Sequence, residues 1–377
     1  MKNLLMSCLT VAWSTSMLFA QDLKNEVQKI ADQYKAVGVA YVVVKDGRII
    51  GKNAIGKSSL ENNTPLDVDR NIFRIASISK SFTSTALMQL VEKKKISLDD
   101  DFGDLVGFVV RNPKYPETKI TLRMVLSHTS SINDVNGYFD LDVINPSKNS
   151  NWQKSYNDYA PGTKYEYCNL NFNMAGAVLE RLTNIRFDTY IRQQILNPLG
   201  LYGGYCIDSL DNTRFASLYA YDSKNDKFIH EPLAYNPRSE EVRNHVLGET
   251  TPIFSPTGGM KISAVDLAKY MLMHMNYGKS GKVKILGKKY SKLMQTKISE
   301  DSGYGLALLE TTKLIPGQHM VGHTGSAYGL YSSMFFNPKK KFGIVVITNG
   351  CVLEYENGEV ALPAKITNLL YEKLIKE

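Results

Sequence analysis

The stretch Phe73-Arg74-Ile75-Ala76-Ser77-Ile78-Ser79-Lys80-Ser81-Phe82 decides how the rest of the chain is read. It places a serine and a lysine three positions apart where an apolar helical repeat begins, continued by Phe82, Ala86, Leu87, Leu90 and Val91. Residues i and i+3 share a helix face one turn apart, so the Ser77 hydroxyl can touch the Lys80 amine. No other lysine in the sequence has a serine three positions before it. Lysine activates a serine only when burial or a second positive neighbour lowers its pKa. On its own the pair is equally an N-cap and a solvated lysine.

Two further stretches supply what the pair lacks. Tyr167-Cys168-Asn169 lies within Pro161-Gly162-Thr163-Lys164-Tyr165-Glu166-Tyr167-Cys168-Asn169-Leu170-Asn171. Its phenol can share a proton and pass it to a leaving group, and its amide can orient Lys80 and bond a substrate carbonyl. Tyr355-Glu356-Asn357 has the same spacing, so this pattern counts only in company. His323-Thr324-Gly325-Ser326, on an expected strand, can offer a backbone N–H to a developing oxyanion, with the Ser77 N–H as second donor. Gly325 allows close backbone approach, and a helix beginning at Ser77 adds its positive end.

In this order the three stretches resemble the serine β-lactamase and penicillin-binding superfamily. The likeness is to its class C β-lactamase, Tyr-x-Asn D-alanyl-D-alanine carboxypeptidase and related esterase branch. Ile120-Thr121-Leu122-Arg123-Met124-Val125-Leu126-Ser127-His128-Thr129-Ser130, Asn197-Pro198-Leu199-Gly200-Leu201 and Ser255-Pro256-Thr257-Gly258-Gly259-Met260 extend it over nearly the whole mature chain. The resemblance implies Ser77 as nucleophile, Lys80 and Tyr167 as general acid–base pair, and Asn169 as substrate-positioning residue. It implies His323, Thr324 and Gly325 as the far wall, and Ser326 as an oxyanion donor. The activity implied is an acyl-enzyme hydrolase of esters or amides, or an acyltransferase if an alcohol or amine replaces water. A non-catalytic ligand sensor is the alternative from another class. The fold implied is α/β: an antiparallel sheet flanked by N- and C-terminal helices, plus a mainly helical domain.

The chain departs from the family pattern at three positions. His323 stands where class C β-lactamases usually carry lysine, and a neutral imidazole gives up a permanent cation. Cys168 stands where serine is common, and Ser131 where glycine often follows the His-Thr element. His128 is expected to be structural, bonded to backbone through its ring. The aromatic-rich loop from 133 to 160, with Tyr138, Phe139, Trp152, Tyr156 and Tyr159, reads either as an apolar substrate wall or as loop packing.

Composition narrows the alternatives. Of 377 residues, 43% are hydrophobic and 22% charged, as in globular proteins with a full core. The formal charge of +8 is dispersed, and the longest basic runs, Lys93-Lys94-Lys95 and Lys339-Lys340-Lys341, read as a helix end and a hairpin turn, which argues against nucleic acid as partner. Lys2 and the apolar run to Ala20 describe an export signal, residues 1–20, for a periplasmic or secreted protein. A lipid anchor at Cys8 is disfavoured by the short apolar run before it, and no later segment reads as a membrane span. Cys168, Cys206 and Cys351 imply no disulfide framework. The histidines show no metal-ligand spacing, so neither metal nor cofactor is expected. The expected partner is a small molecule or peptide carrying an ester or amide carbonyl.

Apolar runs around Asp46-Gly47 predict a β-hairpin. Helices are predicted at Leu23 to Tyr34, Asn171 to Leu182, Arg186 to Ile195, Ser263 to Met275 and Val360 to Lys376, with strands at Gly303 to Glu310, Met320 to His323, Leu330 to Phe336 and Phe342 to Thr348. Residues 21–75 and 290–377 are assigned to a sheet domain, and 76–289 to a helical domain.

Overall fold

The structure is a computed structural model describing residues 21–300 and 302–376, so the expected export signal and Cys8 lie outside the described residues. β1 (Gly38–Lys45) and β2 (Arg48–Ser59) form the expected hairpin. Asp46 and Gly47 both take positive φ, 50° and 80°, as a tight turn matching the strand twist requires. β3 (Thr64–Pro65) pairs with β2. The short strands β4 (Phe73–Arg74), β5 (Gly203–Gly204) and β6 (Lys261–Ile262) make a small separate sheet in the order β4-β6-β5. β7 (Leu309–Thr311), β8 (Met320–Ala327), β9 (Leu330–Asn337) and β10 (Phe342–Thr348) return to β1. The result is a seven-stranded antiparallel sheet, β7-β8-β9-β10-β1-β2-β3, drawn from both ends of the chain.

β1 is buried on both faces, and its alternation sorts two cores. Ala40, Val42 and Val44 face one of them; Val39, Tyr41 and Val43 face the other. Helix α1 (21–33) and the C-terminal helix cover the second face. Each fully buried Val contributes about 1.5–3 kcal/mol by removal from water.

Helix α2 (Ser79–Glu92) carries the opening stretch inward. Its apolar stripe predicts one buried face, yet every residue from Ser79 to Gln89 is buried. The polar members are bonded inside the protein: Ser81 Oγ to Ile78 O (2.8 Å), Thr83 Oγ1 to Pro256 O (2.8 Å) and Ser84 Oγ to Leu306 O (3.1 Å). Hydrogen-bonded hydroxyls escape the cost of burying unpaired polar groups. α3 (Leu122–Leu126) is capped by Thr121, α4 spans Asn169–Thr183, α5 (Ala264–Met275) is capped by Ser263, and α6 spans Ala361–Leu374. α5 packs against β1 and β10 on the face opposite α6, which joins the sheet to the helical core.

Two expected elements differ from what forms. Of the Gly303 to Glu310 stretch only Leu309 and Glu310 lie in a strand, which runs on to Thr311. The N–H groups of Leu306 and Ala307 bond Met294 O (3.1 Å) and Leu126 O (3.2 Å), which removes them from the ladder. The helix expected to stop before Asn197-Pro198 runs on to Leu199 and ends at Gly200, φ 66°. Pro198 opens a final turn, where a missing N–H is tolerated. Among the described residues, no helix is long and apolar enough to cross a membrane.

Candidate active site

Ser77 sits in a tight 3-10 turn, Ala76–Ile78, that runs straight into α2. Ala76 holds φ at 50°, a left-handed conformation that costs an L-residue about 1–2 kcal/mol. Helical continuity brings Lys80 Nζ to 3.2 Å from Ser77 Oγ. Lys80 is fully buried, and its ammonium also bonds Asn169 Oδ1 at 2.9 Å and the Thr257 carbonyl at 3.0 Å. Burial lowers its pKa to about 7, against the opposing pull of the Asp134 carboxylate. The amine is therefore available as a base at neutral pH.

Tyr167 lies in the extended segment before α4, with its ring 4.7 Å from Lys80 Nζ. Burial raises its phenol above the ordinary range, offset in part by interaction with the Ser77 hydroxyl, so it stays protonated and acts as a donor. This segment is pinned from below. The Cys168 N–H donates to His128 Nδ1 at 3.1 Å, and the Glu166 N–H to His128 O at 2.9 Å. His128 is thus structural, its ring 4.4 Å from that of Tyr167. Ser131 has φ of 61°, the left-handed region that glycine adopts most readily. Its hydroxyl accepts from Asn112 Nδ2 at 3.0 Å.

Asn169 is oriented from three sides. Its Oδ1 accepts from Lys80 and from Thr257 Oγ1 (2.9 Å), while its Nδ2 donates to Asp134 Oδ2 (3.0 Å). The Asp134 carboxylate also accepts the N–H groups of Asn169 (2.8 Å) and Leu170 (2.9 Å), so it caps α4 from 35 residues away in sequence. Such capping suits an anion at a helix N-terminus. Cys168 donates to the same carboxylate at 3.2 Å, and burial holds the thiol far above its ordinary pKa, which excludes thiolate chemistry.

The opposite wall is β8. Gly325 lies against the nucleophile turn so closely that a Cβ there would stand 2.3 Å from Ile75 O. Ser332 Oγ on β9 donates to the same carbonyl at 3.0 Å, locking sheet to turn. His323 Nδ1 bonds the Thr324 carbonyl at 2.5 Å and must donate, since a carbonyl only accepts. Nε2 then accepts from the Tyr304 hydroxyl at 2.8 Å. Burial and the nearby Lys80 lower its pKa to about 4, so the ring is neutral at pH 7.

Ser77, Tyr167, Asn169, His323, Thr324 and Ser326 all line one cleft of about 610 Å³, with Lys80 beneath and Gly325 behind. The geometry thus gathers every site residue expected from the sequence. It adds Asp134, Thr257 and Tyr304, which sequence reasoning missed. Thr257 lies in the Ser255 to Met260 stretch that shares in the family resemblance, but nothing in the spacing of Asp134 or Tyr304 marks them. The aromatic loop divides: Tyr138 and Phe139 line the cleft, while Trp152 packs edge-on against Tyr156 at 5.8 Å. Among the described residues, no cluster of side chains could hold a metal ion.

Among solved structures, the chain is similar to the octameric penicillin-binding protein homologue from Pyrococcus abyssi. That likeness has TM-score 0.73 and 25% identity, covering 94% of this chain and 77% of that one. It is also similar in fold to EstCE1, a hydrolase with promiscuous acyltransferase activity, at TM-score 0.72, 22% identity and 93% and 99% coverage. A curated relative is Protein flp of Staphylococcus aureus (strain MRSA252), 24% identical over 320 residues and matched over 83% of this chain. The chain spans 59% of that relative's length. The β-lactamase family model matches residues 23–360, and the chain belongs to the β-lactamase family, with its β-lactamase/transpeptidase-like fold.

Proposed function

We propose that the protein is an exported serine acyl-enzyme hydrolase acting on an ester or amide carbonyl through Ser77. One observation carries this: the Ser77 hydroxyl lies 3.2 Å from a buried amine whose pKa is about 7. In the forward half, Ser77 Oγ bonds the carbonyl carbon while its proton passes to Lys80 Nζ. The N–H groups of Ser77 and Ser326 receive the oxyanion. The bond to the leaving group then breaks, and Lys80 returns the proton to that group through Tyr167. In the second half, water attacks the acyl-serine by the reverse route.

The neutral His323 ring supports a carboxypeptidase- or esterase-like preference over efficient β-lactam hydrolysis. Hydrolysis is the default, and an alcohol or amine in place of water turns the same intermediate towards acyl transfer. The sequence of residues 1–20 supports export, which N-terminal sequencing of secreted protein tests. Labelling with a fluorophosphonate followed by peptide mass mapping tests the nucleophile. Turnover of p-nitrophenyl esters, D-amino-acid amides and β-lactams, with and without added alcohols and amines, assigns the acceptor. The expected result is an adduct on Ser77 and ester turnover; no adduct on Ser77 under any condition refutes the proposal.

A further inference from the structure

Beside the cleft lies a second cavity of about 330 Å³, and the two share Arg74, Phe139, Ser255 and Tyr328. Sheet register places two basic side chains in its wall. β4 and β6 pair so that Arg74 stands directly opposite Lys261, and both line the cavity. Opposite residues of an antiparallel pair project to the same face, where like charges repel. Arg238 adds an exposed guanidinium, 3.8 Å from the Glu241 carboxylate.

Neither side chain of the pair makes a hydrogen bond or ion pair to an acid among the described residues, although the charges of Asp208 and Asp188 act on Lys261. Lys261 is 3% exposed and donates to the Tyr205 carbonyl at 2.6 Å. The Arg74 guanidinium bonds Gly258 O (3.1 Å), Ala234 O (3.4 Å) and Ser255 Oγ (3.4 Å), all neutral. The only acid lining the cavity among the described residues, Asp208, is engaged by the Arg238 N–H (3.1 Å) and the Ser239 hydroxyl. Bracing the turn at Ser255 and Gly258 accounts for Arg74, but not for a second basic side chain set against it. Burial and the facing Arg74 push the Lys261 amine well below its ordinary pKa, and an anion bound between the two side chains favours its charged form. The exposed side chains of Phe139 and Leu233 provide an apolar rim.

We propose that this cavity is an anion subsite that takes a carboxylate carried by the substrate on an apolar linker, while its reacting carbonyl sits at Ser77. This rests on the hydrolase proposal above. His323 leaves the cleft a neutral imidazole, and Arg74, which lines both cavities, supplies the positive charge.

The test compares two p-nitrophenyl monoesters, one of butyric acid and one of glutaric acid with its second carboxylate free. The expected result is a preference for the glutarate ester in kcat/KM that weakens with salt. Lys261→Met and Arg238→Gln should each lower the glutarate-to-butyrate ratio about tenfold, mainly through KM. Arg238→Gln changes an exposed side chain, so the test survives if Lys261→Met fails to fold. An unchanged ratio in folded variants that still turn over butyrate and label at Ser77 overturns the subsite alone. Stimulation of butyrate turnover by free glutarate, without preference for the glutarate ester, overturns the assignment to substrate. Absence of turnover and of Ser77 labelling refutes the hydrolase proposal itself.

Discussion

Replacing Asp134 with asparagine separates two consequences of one carboxylate. Its oxygens accept the N–H groups of Asn169 and Leu170, the Asn169 side-chain amide and the Cys168 thiol. Asparagine keeps one acceptor oxygen and turns an amide nitrogen towards these donors. Each oxygen accepts two of these bonds, so the substitution loses at least one backbone N–H bond to a charged acceptor, about 1.5–3 kcal/mol, and losing the anion at the α4 N-terminus costs a further ~0.3–1 kcal/mol. The fold should therefore lose about 2–4 kcal/mol, a fall of a few degrees in Tm. The electrostatic effect has a separate sign. Asp134 raises the Lys80 pKa from the level that burial alone would set, so its removal lowers that pKa further below about 7. More neutral amine is then present at acidic pH. The ascending limb of kcat/KM against pH should move to lower pH, while the plateau falls because Asn169 is less firmly held. The measurements are thermal melts and pH profiles on a p-nitrophenyl ester from pH 5 to 9. A limb that stays in place, or moves to higher pH, refutes the role given to Lys80.

In the wild-type enzyme, kcat/KM should rise with pH through about 7 as Lys80 loses its proton, without a second limb from His323, which is already neutral there; steady-state profiles check this. Ser77→Ala should lower turnover by at least ~10³-fold and abolish fluorophosphonate labelling, with Tm nearly unchanged; retained turnover means another nucleophile. Gly325→Ala should cost about 1–3 kcal/mol in denaturant unfolding and ~10²-fold in kcat, since its Cβ would meet Ile75 O at 2.3 Å and push β8 off the nucleophile turn. Tyr304→Phe should leave His323 Nε2 without its donor, destabilising the fold by about 1–3 kcal/mol; unchanged melting refutes Nε2 as the acceptor nitrogen.

Features that depend on local geometry are legible in the order of residues alone. Ser77 and Lys80 meet because three residues span nearly one helical turn, and Asp46-Gly47 folds as a hairpin because positive φ suits those residues. The order of the three motifs carries a family resemblance that implies the fold and the six cleft-lining site residues, and the apolar periodicities place individual helices and strands. Features that depend on groups distant in the chain emerge only once it is packed. The Lys80 pKa is lowered because the protein around it removes water, and no spacing records burial. The hydroxyls of α2 look like a solvent face until Pro256 and Leu306 arrive as partners. Asp134 reaches Asn169 across 35 residues, and Tyr304 reaches His323 Nε2 across 19. Periodicity shows which face a residue occupies; what that face meets is set by packing.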